Sequence, residues 1–161
     1  MADSCLKQIW NNSKALIEAI APRTYWSNGE TFRVISDAMS DNTVQNDANH
    51  RYVYLCWMGS TEDVAALSLQ GMIIRNRILH VQVAYQATFG GRSSLEKASQ
   101  MAAEDSDDII STLQRLSTFP VITGGGYIYH RLYVDGSEQV AIDADLGKLI
   151  LSIDFKITYK A

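Results

Sequence analysis

Phosphate chemistry has one candidate place in this chain, the turn FGGRSS from Phe89 to Ser94. Glycines ahead of a helix start leave backbone N–H groups for an anion, and Arg92 adds a cation. The run matches neither G-x-x-x-x-G-K-[ST] nor G-x-G-x-x-G, so it reads as a turn into a capped helix. Gly124-Gly125-Gly126 reads as a connector. The histidines His50, His80 and His130 are scattered, with no H-x-x-x-H or H-E-x-x-H spacing for a metal. His130 shares a strand face with Ile128, Leu132 and Val134 and reads as a core or interface histidine. Neither Cys5 nor Cys56 has a base beside it, and Cys56 in an apolar strand reads as a small hydrophobe. No G-x-S-x-G elbow occurs. Glu104, Asp105, Asp107 and Asp108 crowd one helix segment and read as a solvated face or a break. The Asp37–Asp47 stretch lacks the D-x-[DN]-x-[DN]-G calcium pattern, as do Asp143 and Asp145. The expectation is a protein that is not an enzyme, with no catalytic residue, metal or cofactor.

Surface chemistry is left. Arg75, Asn76 and Arg77 follow Met72, Ile73 and Ile74 and read as a partner contact or a strand turn. Two arginines in an acidic chain are a poor footprint for nucleic acid. Tyr127, Tyr129, Arg131 and Tyr133 fall on one face of a strand, opposite Ile128, Leu132 and Val134. That face is either a protein interface or a second packing layer under a helix. Trp10, Tyr25, Trp26, Tyr52 and Tyr54 add to the aromatic count.

The elements that must position these residues follow from periodicity. Leu6, Ile9, Trp10, Leu16, Ile17 and Ile20 predict a helix, capped by Asp3 or Ser4 and stopped at Pro22. A short strand is predicted at Thr31–Ile35, with Phe32 and Val34 on one face. Ser36–His50 is a long polar loop holding Asp37, Asp41, Asn42, Asn46 and Asp47. RYVYLCWM predicts a central strand, apolar on both faces. Ser60–Gly71 suits a short helix slightly better than a hairpin extension. Met72–Thr88 predicts a long strand. A second helix starts after Gly91, with Ser93 and Glu96 as a capping box and a stripe of Leu95, Ala98, Ala102, Ile109, Leu113 and Leu116. The acidic patch is a candidate kink or split. Tyr127–Val134 and Gln139–Ala144 are strands separated by a turn at Asp135-Gly136-Ser137, and Gly147-Lys148 is another turn. The closing segment is the cleanest. Leu149, Leu151, Ile153, Phe155, Ile157 and Tyr159 alternate with Ser152, Asp154, Lys156, Thr158 and Lys160, which predicts one buried and one wet face.

The order predicts an α+β fold: a mostly antiparallel sheet of about five to six strands with two main helices packed against it. The 161 residues make one domain, and no internal repeat is present. Apolar residues are 47% and charged residues 20%, which argues against a disordered or fibrous chain. With 14 basic and 18 acidic side chains the net charge is −4. No apolar run approaches a membrane span, and MADSCLKQIWNNSK lacks the regions of a signal peptide. Two cysteines without spacing predict a reduced intracellular protein.

Over most of the chain this order of elements resembles the tail terminator, or tail-completion, proteins of long-tailed bacteriophages. The pattern is carried by the amphipathic helix ending at a proline, the short strand, the long β-segments, the helix SSLEKASQMAAEDSDDIISTLQRLSTFP and the closing LGKLILSIDFKITYK. The resemblance implies a non-enzymatic virion part at the tail or neck, made in the host cytoplasm. It implies a homohexameric ring that caps the tail tube, stops its growth and docks to the head connector. Partners would be further copies of the chain, the tail tube protein and the connector or neck protein, with the sheath protein as a further candidate. DNA would pass through the lumen without specific binding, which an acidic balance suits. Met72, Arg75, Arg77, Tyr127, Tyr129, Arg131 and Tyr133 are then expected at the subunit interface. Asp37, Asp41, Asn42, Asn46 and Asp47 are expected in a loop at the lumen or a partner-docking face. Other classes stay open: another phage neck, connector or baseplate ring protein, or a small α+β ligand-binding or enzymatic domain.

Overall fold

The computed structural model describes residues 5–26, 30–35, 50–62, 74–89, 92–114, 129–134, 136, 138–143 and 147–160. Side chains are described for all of these except 5, 60–62, 74–75, 89, 92–93, 129–133 and 158–160. The elements are α1 (Cys5–Glu18), β1 (Arg33–Ile35), β2 (Tyr52–Glu62), β3 (Ile74–Gln86), β4 (Thr88–Phe89), β5 (Arg92–Ser93), α2 (Leu95–Gln114), β6 (Tyr129–Val134), β7 (Gln139–Asp143) and β8 (Lys148–Lys160). Six strands form one sheet, in the order β1-β2-β3-β8-β6, with β7 also on β8. Only β1 and β2 run parallel; the other pairings are antiparallel. The expected α+β class is what the chain adopts.

β8 organises the sheet because its period of two is uninterrupted. Leu149, Leu151, Ile153, Phe155 and Ile157 are buried, while Ser152, Asp154 and Lys156 are half-exposed on the other face. One edge of β8 pairs with β3 from Lys148↔Gln86 to Lys160↔Ile74. Its other edge takes β7 at Lys148–Ser152 and β6 at Phe155–Tyr159. Leu79, Val81, Val83 and Tyr85 of β3 and Val53 and Leu55 of β2 complete the buried face. The helices cover that face. Ile9 and Ile17 come from α1; Ala98, Met101, Ala102, Ile109 and Leu113 come from α2. Both sets follow the spacing of an amphipathic helix.

Several expectations need correction. Ser60, Thr61 and Glu62 extend β2, paired with Arg77, Asn76 and Arg75, so the helix preferred from Ser60 does not begin there. A strand already in register continues its ladder more cheaply than a new helix nucleates. Residues 63–73 lie outside the described set. α1 ends at Glu18, ahead of Pro22, and Ile20 N donates to Ile17 O as the last turn tightens. α2 starts one residue later than the Ser93/Glu96 capping box requires. Ser94 is its N-cap residue, and the Ser94 carbonyl accepts from Ala98 N at 3.0 Å. α2 also runs unbroken through its acidic patch.

The segment at Asp135-Gly136-Ser137 does not fold the chain back. β6 and β7 run in the same direction along one edge of β8, whose Ile153 and Asp154 lie between the two pairing stretches. Gly136, between these strands, sits at φ +87°. The hairpin comes later, between β7 and β8, where Gly147 sits at φ +61°.

The register makes a direct prediction. Phe155→Ala should destabilise the fold by about 3–5 kcal/mol, because a buried ring leaves a cavity. Asp154→Ala, on the other face, should change stability by less than about 1 kcal/mol. Urea titrations of the two variants measure both.

Candidate functional site

The densest group of titratable side chains forms where β2 begins. Arg51 precedes that strand with φ +55°, a left-handed conformation rare outside glycine. Its backbone is pinned on both sides: Arg51 N donates to Ala84 O at 2.7 Å, and Arg51 O accepts from Arg33 N at 3.3 Å. The guanidinium enters the layer between sheet and helices, with no solvent exposure. There Nε donates to Asp105 Oδ2 at 2.8 Å and Nη2 to Asp105 Oδ1 at 3.2 Å. Nη1 donates to Glu30 Oε2 at 2.9 Å, and Nη2 also reaches the Thr24 carbonyl. Tyr85 Oη donates to Asp105 Oδ2 at 2.8 Å. Burial and the neighbouring Asp105 push the Tyr85 phenol well above its ordinary pKa, so it remains a donor. Burial also raises the Asp105 carboxyl, against the opposing pull of Arg51 and Tyr85.

His50 completes the group. Its Nδ1 accepts from Gln86 N at 3.0 Å, which places the proton of the neutral ring on Nε2. Nε2 lies 3.4 Å from Glu30 Oε2. Burial lowers the His50 pKa to about 4, with Glu30 opposing and Arg51 assisting. Tyr85 meets the ring edge-on at 5.9 Å between centroids. A neutral imidazole beside carboxylates has the groups of an acid–base site. Arg51, Tyr85 and Asp105 are sealed from solvent, however, so a substrate has no path to them in this conformation. The cluster acts as a structural tie.

The surface tells more. The two edges of the sheet are finished differently. At β1, Arg33 N points to β2, so the alternation aims Val34 N outward. That outward N–H donates to Glu18 Oε1 from α1 at 3.3 Å, which closes the edge. At β7, the outer edge has no strand partner among the described residues. Val140 and Ile142 of β7 are 50% and 59% exposed. Their register partners Leu151 and Leu149 are buried on the helix-covered face. Ser106 of α2 donates to Glu138 just ahead of β7, which fixes where the strand starts.

The sheet face away from the helices is mixed, with Tyr54, Ala84 and Lys148 buried and other positions open. Cys56 and His80 pair across it, and Cys56 is exposed, against the expectation of a buried small hydrophobe. His80 Nδ1 lies 2.6 Å from Asp154 Oδ1 on this face. Arg33 stacks over Tyr52 at 5.8 Å.

The residues expected to form a site fall as follows. Arg75 and Arg77 lie on β3, with Arg77 Nη1 donating to Met58 O at 3.3 Å. Tyr129, Arg131 and Tyr133 lie on β6. A register shift separates Tyr129↔Tyr159 from Arg131↔Thr158, so a bulge falls within that run. Met72, Tyr127, Asp37, Asp41, Asn42, Asn46 and Asp47 lie outside the described residues. Arg92 is placed in β5. Sequence reasoning missed Asp105 and Arg51. Asp105 sits on the α2 core stripe, three and four residues from Ala102 and Met101, and that spacing was the available signal. Val140 and Ile142 carried no signal, because exposure at a sheet edge depends on what packs alongside.

Two measurements test the tie. Arg51→Ala should cost about 3–5 kcal/mol by leaving Asp105 buried and unpaired, read by urea unfolding. For His50, the unfolded state takes up a proton near pH 6.5 while the folded state resists until about pH 4. Stability from this group is therefore full above pH 6.5 and falls as pH drops toward 4. His50→Gln should flatten the pH dependence of the unfolding midpoint across that window.

No protein-family model matches the chain, and no curated protein matches it. Among solved structures, a chain of the "Virion of native gene transfer agent (GTA) particle" is similar at 14% identity, over 68% of this chain and 69% of that chain, with a TM-score of 0.44. A likeness this slight assigns neither fold nor function to this chain.

Proposed function

We propose that this chain is a virion structural protein of the tail terminator kind, which forms a homohexameric ring on the tail tube, stops its growth and joins it to the head connector. One observation carries the reading: a sheet capped at one edge by Glu18 and, among the described residues, without a strand partner at the other, where Val140 and Ile142 are exposed. Soluble chains blunt such an edge with lysine, proline or a covering element, and Gln139–Asp143 contains no lysine or proline. An open edge of this kind suits a subunit whose neighbour covers it. Unlike edges also suit a heterologous contact, in which one surface meets a different surface of the next copy and a ring closes.

The rest of the proposal rests on the sequence pattern. The segments around Met72–Arg77 and Tyr127–Tyr133 add to the subunit contact. The Asp37–Asp47 stretch faces the lumen or docks the tube or connector. DNA slides past an acidic wall without specific binding. A ligand-binding or enzymatic reading has less to stand on, since the densest titratable cluster is closed to solvent.

Imaging tails assembled with and without the protein tests the function. Tails of uncontrolled length in its absence support the reading, and normal tails that join heads remove it. Val140→Lys with Ile142→Lys should leave the monomer folded by circular dichroism and reproduce the long-tail phenotype. Deleting Asp41–Asp47 should keep the fold and impair docking.

A further inference from the structure

A groove lies at the N-terminal end of α1, where the helix crosses the far end of β2 and β3. Leu6, Lys7 and Trp10 line it from the helix, and Trp57 and Arg77 from the strands, around a volume of about 440 Å³. Trp57 pairs with Leu79 and Arg77 with Ile157, which places both on the helix-covered side of the sheet, where the cover runs out. The lining is aromatic and cationic. Lys14 Nζ stands 6.0 Å from the Trp10 ring. Arg77 Nη1 is held by the Met58 carbonyl, while its Nε is buried without a hydrogen-bond partner. Two tryptophans with surrounding cations fit an acidic segment that also carries apolar surface.

Such a segment exists on this chain at the opposite end of α1. A second groove there, of about 410 Å³, is lined by Leu16, Ala19 and Ile20 at the α1 end, by Arg23 after it, and by Asp108, Ser111 and Thr112 of α2. Asp107 is exposed beside it, and Glu104 lies one turn before. Arg23 Nε donates to Asp108 Oδ2 at 3.0 Å, which fixes one wall. Leu6, Lys7 and Trp10 precede Leu16, Ala19 and Ile20 by about ten residues, so roughly 15 Å of helix separates the two regions and they do not meet within one molecule. In a chain of net charge −4, association between copies is favoured where local patches of opposite sign face each other.

We infer that the Leu6/Lys7/Trp10/Trp57/Arg77 groove receives the outward face of α2 that carries exposed Asp107, flanked by Glu104 and Asp108, from a second copy of this chain. The contact is head-to-tail along α1 and is therefore heterologous, the type that closes into rings. It deepens the ring-subunit reading by naming a contact between copies, and it is tested on the purified chain without tails. Lys7 and Asp107 are both exposed, so their substitution leaves the core untouched. By sedimentation velocity, Lys7→Glu and Asp107→Lys should each weaken self-association about tenfold. The double variant, which restores opposite charges across the contact, should return to within about threefold of the parent. Trp10→Ala should weaken association with no charge change. Three results overturn the inference: no self-association of the parent chain at its highest soluble concentration, single variants that associate like the parent, or a double variant no better than the singles. Any of these leaves the tail-length experiment to decide the terminator reading separately.

Discussion

The fold depends on one buried ion pair. Arg51 and Asp105 are both removed from water, and an unpaired charge in that position would oppose folding strongly. The arrangement answers this with a full set of partners. Asp105 accepts from Arg51 and Tyr85, and Arg51 spends its remaining donors on Glu30 and Thr24. These groups come from β2, β3, α2 and the connector after α1. A single guanidinium therefore sets the height and rotation of α2 over the sheet. The left-handed φ of Arg51 is understandable in this light, because the kink lets one residue leave the β2 ladder and enter the helix layer. Neutral His50 fits as well: burial, with Arg51 beside it, disfavours a second cation more than Glu30 favours one.

Much of this architecture was legible in the sequence. The alternation of β8 fixed both its faces, and the helix stripes of α1 and α2 located the covered side. What was not legible has physical reasons. An acidic cluster reads as wet because carboxylates are rarely buried; Asp105 is buried since its partner arrives from a residue 54 positions away. A strand apolar on both faces does not say which face the helices take, so Cys56 was read as inside and lies outside. The Asp-Gly-Ser run signals a turn in sequence, yet only pairing with β8 decides whether the strands on either side of it reverse, and here both run the same way. The candidate interface was legible only in part. Arg77 was singled out and lines a groove, whereas Val140 and Ile142 have the alternation of any half-buried strand.

The sheet's two faces and two edges are treated unlike one another, and this asymmetry connects fold to function. Helices cover one face, leaving Cys56, His80 and Asp154 on the other. A glutamate from α1 satisfies the outward amide at β1, while β7 presents apolar side chains and main-chain groups together. Hydrophobic area at a sheet edge is costly for a lone molecule and useful for one that is completed by a neighbour. The two ends of α1 also differ, one lined by tryptophans and cations, the other by aliphatic side chains and the Arg23–Asp108 pair. A body with distinct surfaces in several directions is suited to repeated, directional stacking.

The position of β8 has a consequence for synthesis. It is joined to β3 on one side and to both β6 and β7 on the other, so the sheet has no centre before it arrives. During translation, β3 emerges with a whole edge unsatisfied, and residues up to 160 must follow before that edge closes. At ordinary elongation rates this interval is roughly ten seconds, long compared with hairpin formation. The nascent chain therefore carries an apolar strand edge until its last described strand is made. Holdase binding to β3 and inclusion-body formation on overexpression are the natural fates of chains that stall or terminate within that window.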